Sequence, residues 1–151
     1  MSLSMRPAVS GDAERLFEWV NALDSLEQKE KVTEPISWPE HADWFARCLS
    51  DVGLQLFILE KDGDPVGQLR FQPTCRGLEI DIYVTPAARQ SGTAKHALDI
   101  ALSQNSTRPV IARVKSTNIP SRKLFLAAKF EEIQIEGDML IFEYHQLVKS
   151  V

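Results

Sequence analysis

The segment Leu78-Glu79-Ile80-Asp81-Ile82-Tyr83-Val84 alternates without a break: Leu78, Ile80, Ile82 and Val84 share one side, and Glu79, Asp81 and Tyr83 the other. Successive strand side chains point to opposite faces, so the pattern predicts a strand with one buried face and one face that carries two carboxylates and a phenol. It is also the third strand in a row. Residues 54–59 and 66–71 read as two more, joined by the tight connection Asp62-Gly63-Asp64-Pro65. Strands that follow one another this closely pair antiparallel, which argues against a doubly wound parallel sheet, where long crossovers separate the strands.

Around this meander the period becomes helical. Ala13, Leu16, Phe17 and Val20 fall on one face of residues 12–23, with Ser10 or Asp12 as a cap. Ser37-Trp38-Pro39-Glu40 has the form of a capping box with proline in the first turn, and predicts a helix to about Leu49 that buries Trp44, Phe45 and Leu49. Residues 94–102 turn Ala94, Ala97, Leu98, Ala101 and Leu102 inward, and residues 118–128 turn Leu124, Phe125 and Ala128 inward. An extended start at 5–9, a buried strand at 110–114 and a closing pair at 130–135 and 140–147 complete the order. Residues 21–35 are polar, end in Thr33-Glu34-Pro35, and read as a loop of the kind that often carries specificity. The prediction is an α/β (α+β) fold: a mixed, mostly antiparallel sheet of six to seven strands with about four helices packed on both faces. A chain of 151 residues, 44% hydrophobic, suits a single domain over 1–151.

Several classes are argued against. No stretch reaches the roughly 18 to 20 apolar residues a membrane helix needs, and residues 1–10 lack the apolar run of a secretory signal, so the expectation is a soluble, cytoplasmic protein with no membrane partner. Cys48 and Cys75 have no partner spacing and read as packing residues, and His41, His96 and His145 lack a second ligand at i+3 or i+4, so no metal is expected. The net charge of −4 argues against nucleic acid. It hides a division along the chain: residues 1–85 carry 8 basic and 15 acidic side chains, 86–130 carry 8 and 1, and the remainder 1 and 5. The basic block (Arg89, Lys95, Arg108, Arg113, Lys115, Arg122, Lys123, Lys129) suggests an anionic ligand.

Within that block a strand ends at Val84, Pro86 follows, and Arg89-Gln90-Ser91-Gly92-Thr93-Ala94 opens a helix. A loop that turns into a helix start aims unpaired N–H groups at one point, where the helix dipole favours negative charge. The segment resembles the acetyl-CoA signature of the GNAT superfamily of N-acetyltransferases: Arg or Gln, two variable residues, Gly, one variable residue, then Gly or Ala. Arg6-Pro7-Ala8 with Asp12-Ala13, the hairpin Asp62 to Gly67, and Asn118-Ile119-Pro120-Ser121 also resemble their counterparts in this superfamily. The resemblance implies acetyl-CoA as cofactor, held by Arg89, Gln90, Ser91, Gly92, Thr93 and Ala94, by the backbone of Ile82 to Val84, and by Asn118 and Ser121. It implies direct attack of a primary amine on the thioester, and dimers are frequent in such families.

An amine must be neutral to attack a thioester, so a base is needed. Glu79 is placed first and Asp81 second by resemblance, with Tyr83 on the same face. Many members carry a tyrosine after the Asn motif as the acid that protonates the leaving thiolate; this chain has Phe125 there, and Lys129-Phe130 replaces the familiar closing Gly-Phe. Residues 34–45 are similar to GNAT enzymes that acetylate amino groups on nucleotide-activated sugars in surface-glycan pathways, including the pseudaminic acid route. That likeness nominates Trp38 and His41 as contacts to a small-molecule acceptor, and Arg70 is added as one of the few cations in the first half that a nucleotide diphosphate could use. The acidic first half suits a simple cationic amine instead, so polyamine and protein N-terminal acceptors stay open. A non-catalytic acyl-CoA sensor stays open too, on the strength of Phe125.

Overall fold

The computed structural model describes residues 3–22, 35–89 and 91–148. Strand β1 (Leu3–Pro7) leads through a short 3-10 turn (Ser10–Asp12) into α1 (Ala13–Asn21), and α2 (Trp38–Ser50) precedes a meander of β2 (Gln55–Lys61), β3 (Asp64–Thr74) and β4 (Gly77–Val84). A second 3-10 turn (Pro86–Ala88), α3 (Thr93–Gln104), β5 (Val110–Lys115), α4 (Ile119–Ala127), β6 (Glu131–Glu136) and β7 (Met139–Tyr144) follow. The sheet has seven strands in the order β1-β2-β3-β4-β5-β7-β6. Only β4 and β5 pair in parallel, because α3 carries the chain back across the sheet between them. The predicted mixed, mostly antiparallel sheet with four α-helices, two on each face, is what the described residues form.

Local chemistry explains the turns. Asp62 and Gly63 both take positive φ (53° and 87°), as a two-residue hairpin turn requires. At Gly67 a Cβ would stand 2.2 Å from the Tyr83 carbonyl oxygen, so only glycine lets β3 lie this close to the end of β4. The Ser37 hydroxyl accepts from the Glu40 N–H at 3.4 Å and caps α2.

Leu59, Leu69, Phe71, Leu78, Ile80 and Val84 pack under Ala97, Leu98, Ala101 and Leu102 of α3 and Phe125 of α4. On the other face Ala8, Leu16, Phe45, Leu56 and Ile58 form a smaller core with α1 and α2. Each large side chain fully removed from water here contributes about 1.5–3 kcal/mol. Asp12, 2% exposed, fastens this second layer. Its oxygens accept from Arg6 Nη1 and Nη2 at 2.8 Å each, from Arg15 Nη1 at 3.0 Å and from the Val9 N–H at 2.8 Å. The Arg6 guanidinium holds the Asp12 carboxyl below the usual carboxylate range, against the opposing effect of burial.

The parallel ladder is short. It joins Leu78, Glu79 and Ile80 to Val110, Ile111 and Ala112. From Asp81 to Val84, β4 stays paired to β3 alone, Asp81 opposite Arg70 and Tyr83 opposite Gln68. The sheet therefore opens between β4 and β5 at the end of β4 that leads toward α3.

Some expectations need correction. The first strand is Leu3–Pro7 rather than 5–9, and β7 stops at Tyr144 rather than 147. Leu49 is 43% exposed; His41, Phe45 and Cys48 form the buried stripe of α2, at spacings of four and three. Cys75 sits exposed in the β3–β4 turn, not in a core. The expected loop at 21–35 lies mostly outside the described residues. Among the described residues no helix is long and apolar enough to cross a membrane.

Candidate active site

A cavity of about 1010 Å³ passes through the opening between β4 and β5. Its walls come from both faces of the sheet. On one side stand Trp19 of α1, Glu40, His41, Asp43, Trp44 and Arg47 of α2, and Gln68, Arg70, Asp81 and Tyr83 of the sheet; on the other stand Arg89, Gly92 to Lys95, and Thr117, Asn118, Pro120, Ser121 and Leu124.

The second side is a helix start. Gly92 is the N-cap of α3 at φ 78°, ψ 5°, with no side-chain cap for the N–H groups of the first turn. The space in front of it is open, since nothing lies within 4 Å of where a Cβ would be. The constraint is thus conformational, and a side chain at this position would bring left-handed backbone strain and intrude into the cavity. Gly92→Val should retain the fold and weaken coenzyme A binding about tenfold or more, which is about 1.4 kcal/mol; isothermal titration of the two proteins checks this.

The loop before α3 is pinned by its own side chains. Arg89 Nε donates to the Val84 carbonyl at 2.7 Å, and its guanidinium lies 5.3 Å from the Tyr83 ring centroid. Ser91 Oγ donates to the Ala88 carbonyl at 2.8 Å and stands 2.9 Å from Thr93 Oγ1. Lys61, which the sequence reading passed over, brings its Nζ to 3.3 Å from the Ser91 hydroxyl and 3.5 Å from that of Thr93. Its signal was its place at the close of a strand that ends in a hairpin turn. Gln90 lies outside the described residues.

The basic block is less concentrated than its sequence suggests. Arg89 and Lys95 line the cavity. Arg108 instead clamps the far end of α3, donating to the Leu102, Asn105 and Gln146 carbonyls and stacking on Tyr144. Arg113 reaches Glu136, and Arg122 the Ser116 carbonyl. Much of that charge therefore serves local structure.

Asn118 caps α4, its Oδ1 accepting from the Ser121 N–H at 3.2 Å, and both residues line the cavity. Leu124 is the helix residue that faces the cavity further along, whereas Phe125 is 4% exposed and packs against Phe130 and Phe142. No phenol or thiol stands on the described face of α4.

Among the candidate bases, Asp81 and Tyr83 line the cavity and Glu79 is not part of its wall. Asp81 Oδ2 accepts from Gln68 Nε2 at 2.8 Å. The Tyr83 ring packs 6.0 Å from Trp19. Of the expected acceptor contacts, Arg70 and His41 line the cavity but Trp38 does not: it is 42% exposed and packs edge-on against Phe17. His41 is 2% exposed, and its Nε2 stands 3.1 Å from the Ala13 carbonyl, a bond in which the ring donates and ties α2 to α1. Trp19, Glu40, Asp43, Trp44, Arg47 and Gln68 are wall residues not anticipated as such.

A helix start suited to an anion thus lies beside a parted mixed sheet. The sequence matches the acetyltransferase (GNAT) domain over residues 2–131. The chain belongs to the GNAT acetyltransferase family and is an acetyltransferase. No curated protein matches it. Similar solved structures include a domain from Methanocaldococcus jannaschii, 20% identical, TM-score 0.84, over 96% of this chain and 99% of that one. A spermidine N-acetyltransferase from Vibrio cholerae, solved with CoA and spermine, is 17% identical over 97% of this chain and 95% of that one, TM-score 0.78. A phosphinothricin acetyltransferase from Sinorhizobium meliloti, in complex with AcCoA, is 20% identical over 96% of this chain and 89% of that one, TM-score 0.78. At these identities the likeness is one of fold.

Proposed function

We propose that the chain acts as a single-domain N-acetyltransferase that moves an acetyl group from acetyl-CoA to a primary amine of a small molecule. The observation that carries this reading is the cavity through the opened sheet, with an anion-suited helix start on one side and a carboxylate on the other. The site fits the donor: open space before a left-handed glycine N-cap suits a pyrophosphate, and the strand edge of Ile82 to Val84, without a ladder partner on the β5 side, suits an extended amide-bearing arm. Bound acetyl-CoA supplies an activated acyl group as a thioester.

The chain's own residues divide the remaining work. Arg89, Ser91 and Thr93 shape the loop and Lys61 adds positive charge behind it. Asp81 takes the amine's proton, directly or through one water, and Gln68 orients its carboxylate. Of the two carboxylates on this strand face, Asp81 belongs to the cavity wall and Glu79 does not, which assigns the base to Asp81. Tyr83 is the wall's phenol and is assigned the proton given to the leaving thiolate, since Leu124 and Phe125 offer none. Tyr83→Phe should therefore lower kcat about tenfold to a hundredfold with little change in KM for acetyl-CoA, read from steady-state kinetics.

Thiol release from acetyl-CoA tests the reading, with a panel of amino acids, polyamines, UDP-linked amino sugars and a peptide N-terminus as acceptors. The expected result is release that requires one amine class and yields its acetylated product. Tight coenzyme binding without turnover on any of them would support the sensor module instead.

A further inference from the structure

Arg70 stands in the cavity wall, half-buried, with its guanidinium 5.6 Å from the centroid of the Trp44 ring. Among the described residues it makes no ion pair and no side-chain hydrogen bond. Asp81 sits directly across the strand pair from it, yet the carboxylate is bonded to Gln68 and does not close on Arg70. Two opposite charges thus share one face of the cavity without neutralising each other.

A guanidinium carries five donors in a planar fork and stays charged at any working pH. Set over the Trp44 ring, the guanidinium gains a cation–π contact that leaves its donors available to a ligand. Arg47 lines the same wall, and its contact with Asp43 at 3.8 Å is an exposed pair of little strength. The buried Cys48 thiol, pushed up by burial, is pulled back by both Arg70 and Arg47, so both cations act near one point of this wall.

Resting on the acetyltransferase reading above, we infer that the acceptor is a primary amine that carries an anionic oxygen group on the same molecule, held by the fork of Arg70 while the amine lies toward Asp81. A carboxylate or phosphate oxygen pair matches the fork in a bidentate way. A polyamine has nothing to offer it and would bring positive charge against Arg70 and Arg47.

The test uses full-length enzyme and matched acceptors: amino acids beside their amides and decarboxylated amines, a UDP-linked amino sugar beside the neutral amino sugar, and spermidine. Wild type should favour the anionic member of a pair about tenfold or more in kcat/KM. Arg70→Gln should raise KM for that acceptor about tenfold or more with a smaller change in kcat, and cost the neutral partner clearly less, so that the preference between the two collapses. Arg70→Lys should restore part of the preference, since the charge returns without the planar fork. Which anionic acceptor wins, the short amino acid or the nucleotide-linked sugar, assigns the source of the anion. Spermidine or neutral amines used as well as anionic ones by wild type would overturn the inference, as would an equal loss on both members of a pair in Arg70→Gln. Absence of turnover with every amine, coenzyme binding being intact, would instead defeat the acetyltransferase reading itself.

Discussion

Asp81→Asn is expected to lower kcat/KM for the amine about a hundredfold or more, with the affinity for coenzyme A nearly unchanged. The substitution keeps the size of the side chain and an oxygen for Gln68, whose Nε2 donates to Asp81 at 2.8 Å, but removes the group that accepts a proton. Coenzyme affinity should survive because the helix start that serves it lies on the other side of the sheet, around Gly92. Glu79→Gln provides the contrast. Its carboxylate shares a strand face with Asp81 but stands within the paired stretch of β4 and β5, before the strands part. The larger loss should fall at position 81; comparable losses at both positions would move the base back toward Glu79.

Asp12→Asn should destabilise the fold by about 3 kcal/mol at neutral pH, the lower end of the cost of breaking a buried ion pair, because Arg6 and Arg15 keep about a third of their side chains in solvent. For a domain of this size that is a fall in Tm of roughly 6–12 °C. The pH dependence has a definite sign. The folded-state pKa of Asp12 is lowered, chiefly by its hydrogen bonds from Arg6, so its stabilisation is present above the unfolded value of about 3.9 and is lost as pH falls through the folded value. The gap between wild type and Asp12→Asn should hold steady from neutral pH to about 5 and narrow below about 4. Urea unfolding at several pH values measures it; a gap that widens in acid would contradict the arrangement.

Much of the fold was legible because local signals agreed. The alternation at 78–84, the Asp62-Gly63 turn and the Ser37 cap each name an element from a few residues, and the elements assemble as those signals require. Gly92 drew attention through the resemblance of residues 89–94 to a family signature, whereas its place as a left-handed N-cap is seen in the structure alone. What escaped is set by tertiary geometry. Where the β4–β5 ladder ends depends on the twist of the whole sheet, and no residue at 81–84 announces it.

Phase errors account for other differences. On α2, Glu40, Asp43, Trp44 and Arg47 form a helical stripe along the cavity, beside the buried stripe of His41, Phe45 and Cys48. In sequence Glu40, Asp43 and Arg47 look like an ordinary solvated face and Trp44 like a core residue, so the stripe they form along the cavity was not visible there. On α4 one position separates Leu124 at the cavity from Phe125 in the core. The basic block misled in a different way, since neighbours in sequence such as Arg108 and Arg113 point to unrelated carbonyls and carboxylates.

A crystal structure of the protein with coenzyme A and a matched anionic amine tests the central claim most directly, that one cavity through the opened sheet joins donor and acceptor. The pyrophosphate is expected at the start of α3 beside Gly92, the pantetheine arm between β4 and β5, and the amine within one water of Asp81. Coenzyme bound away from the parted strands, or an acceptor held on the α3 face of the sheet, would contradict it.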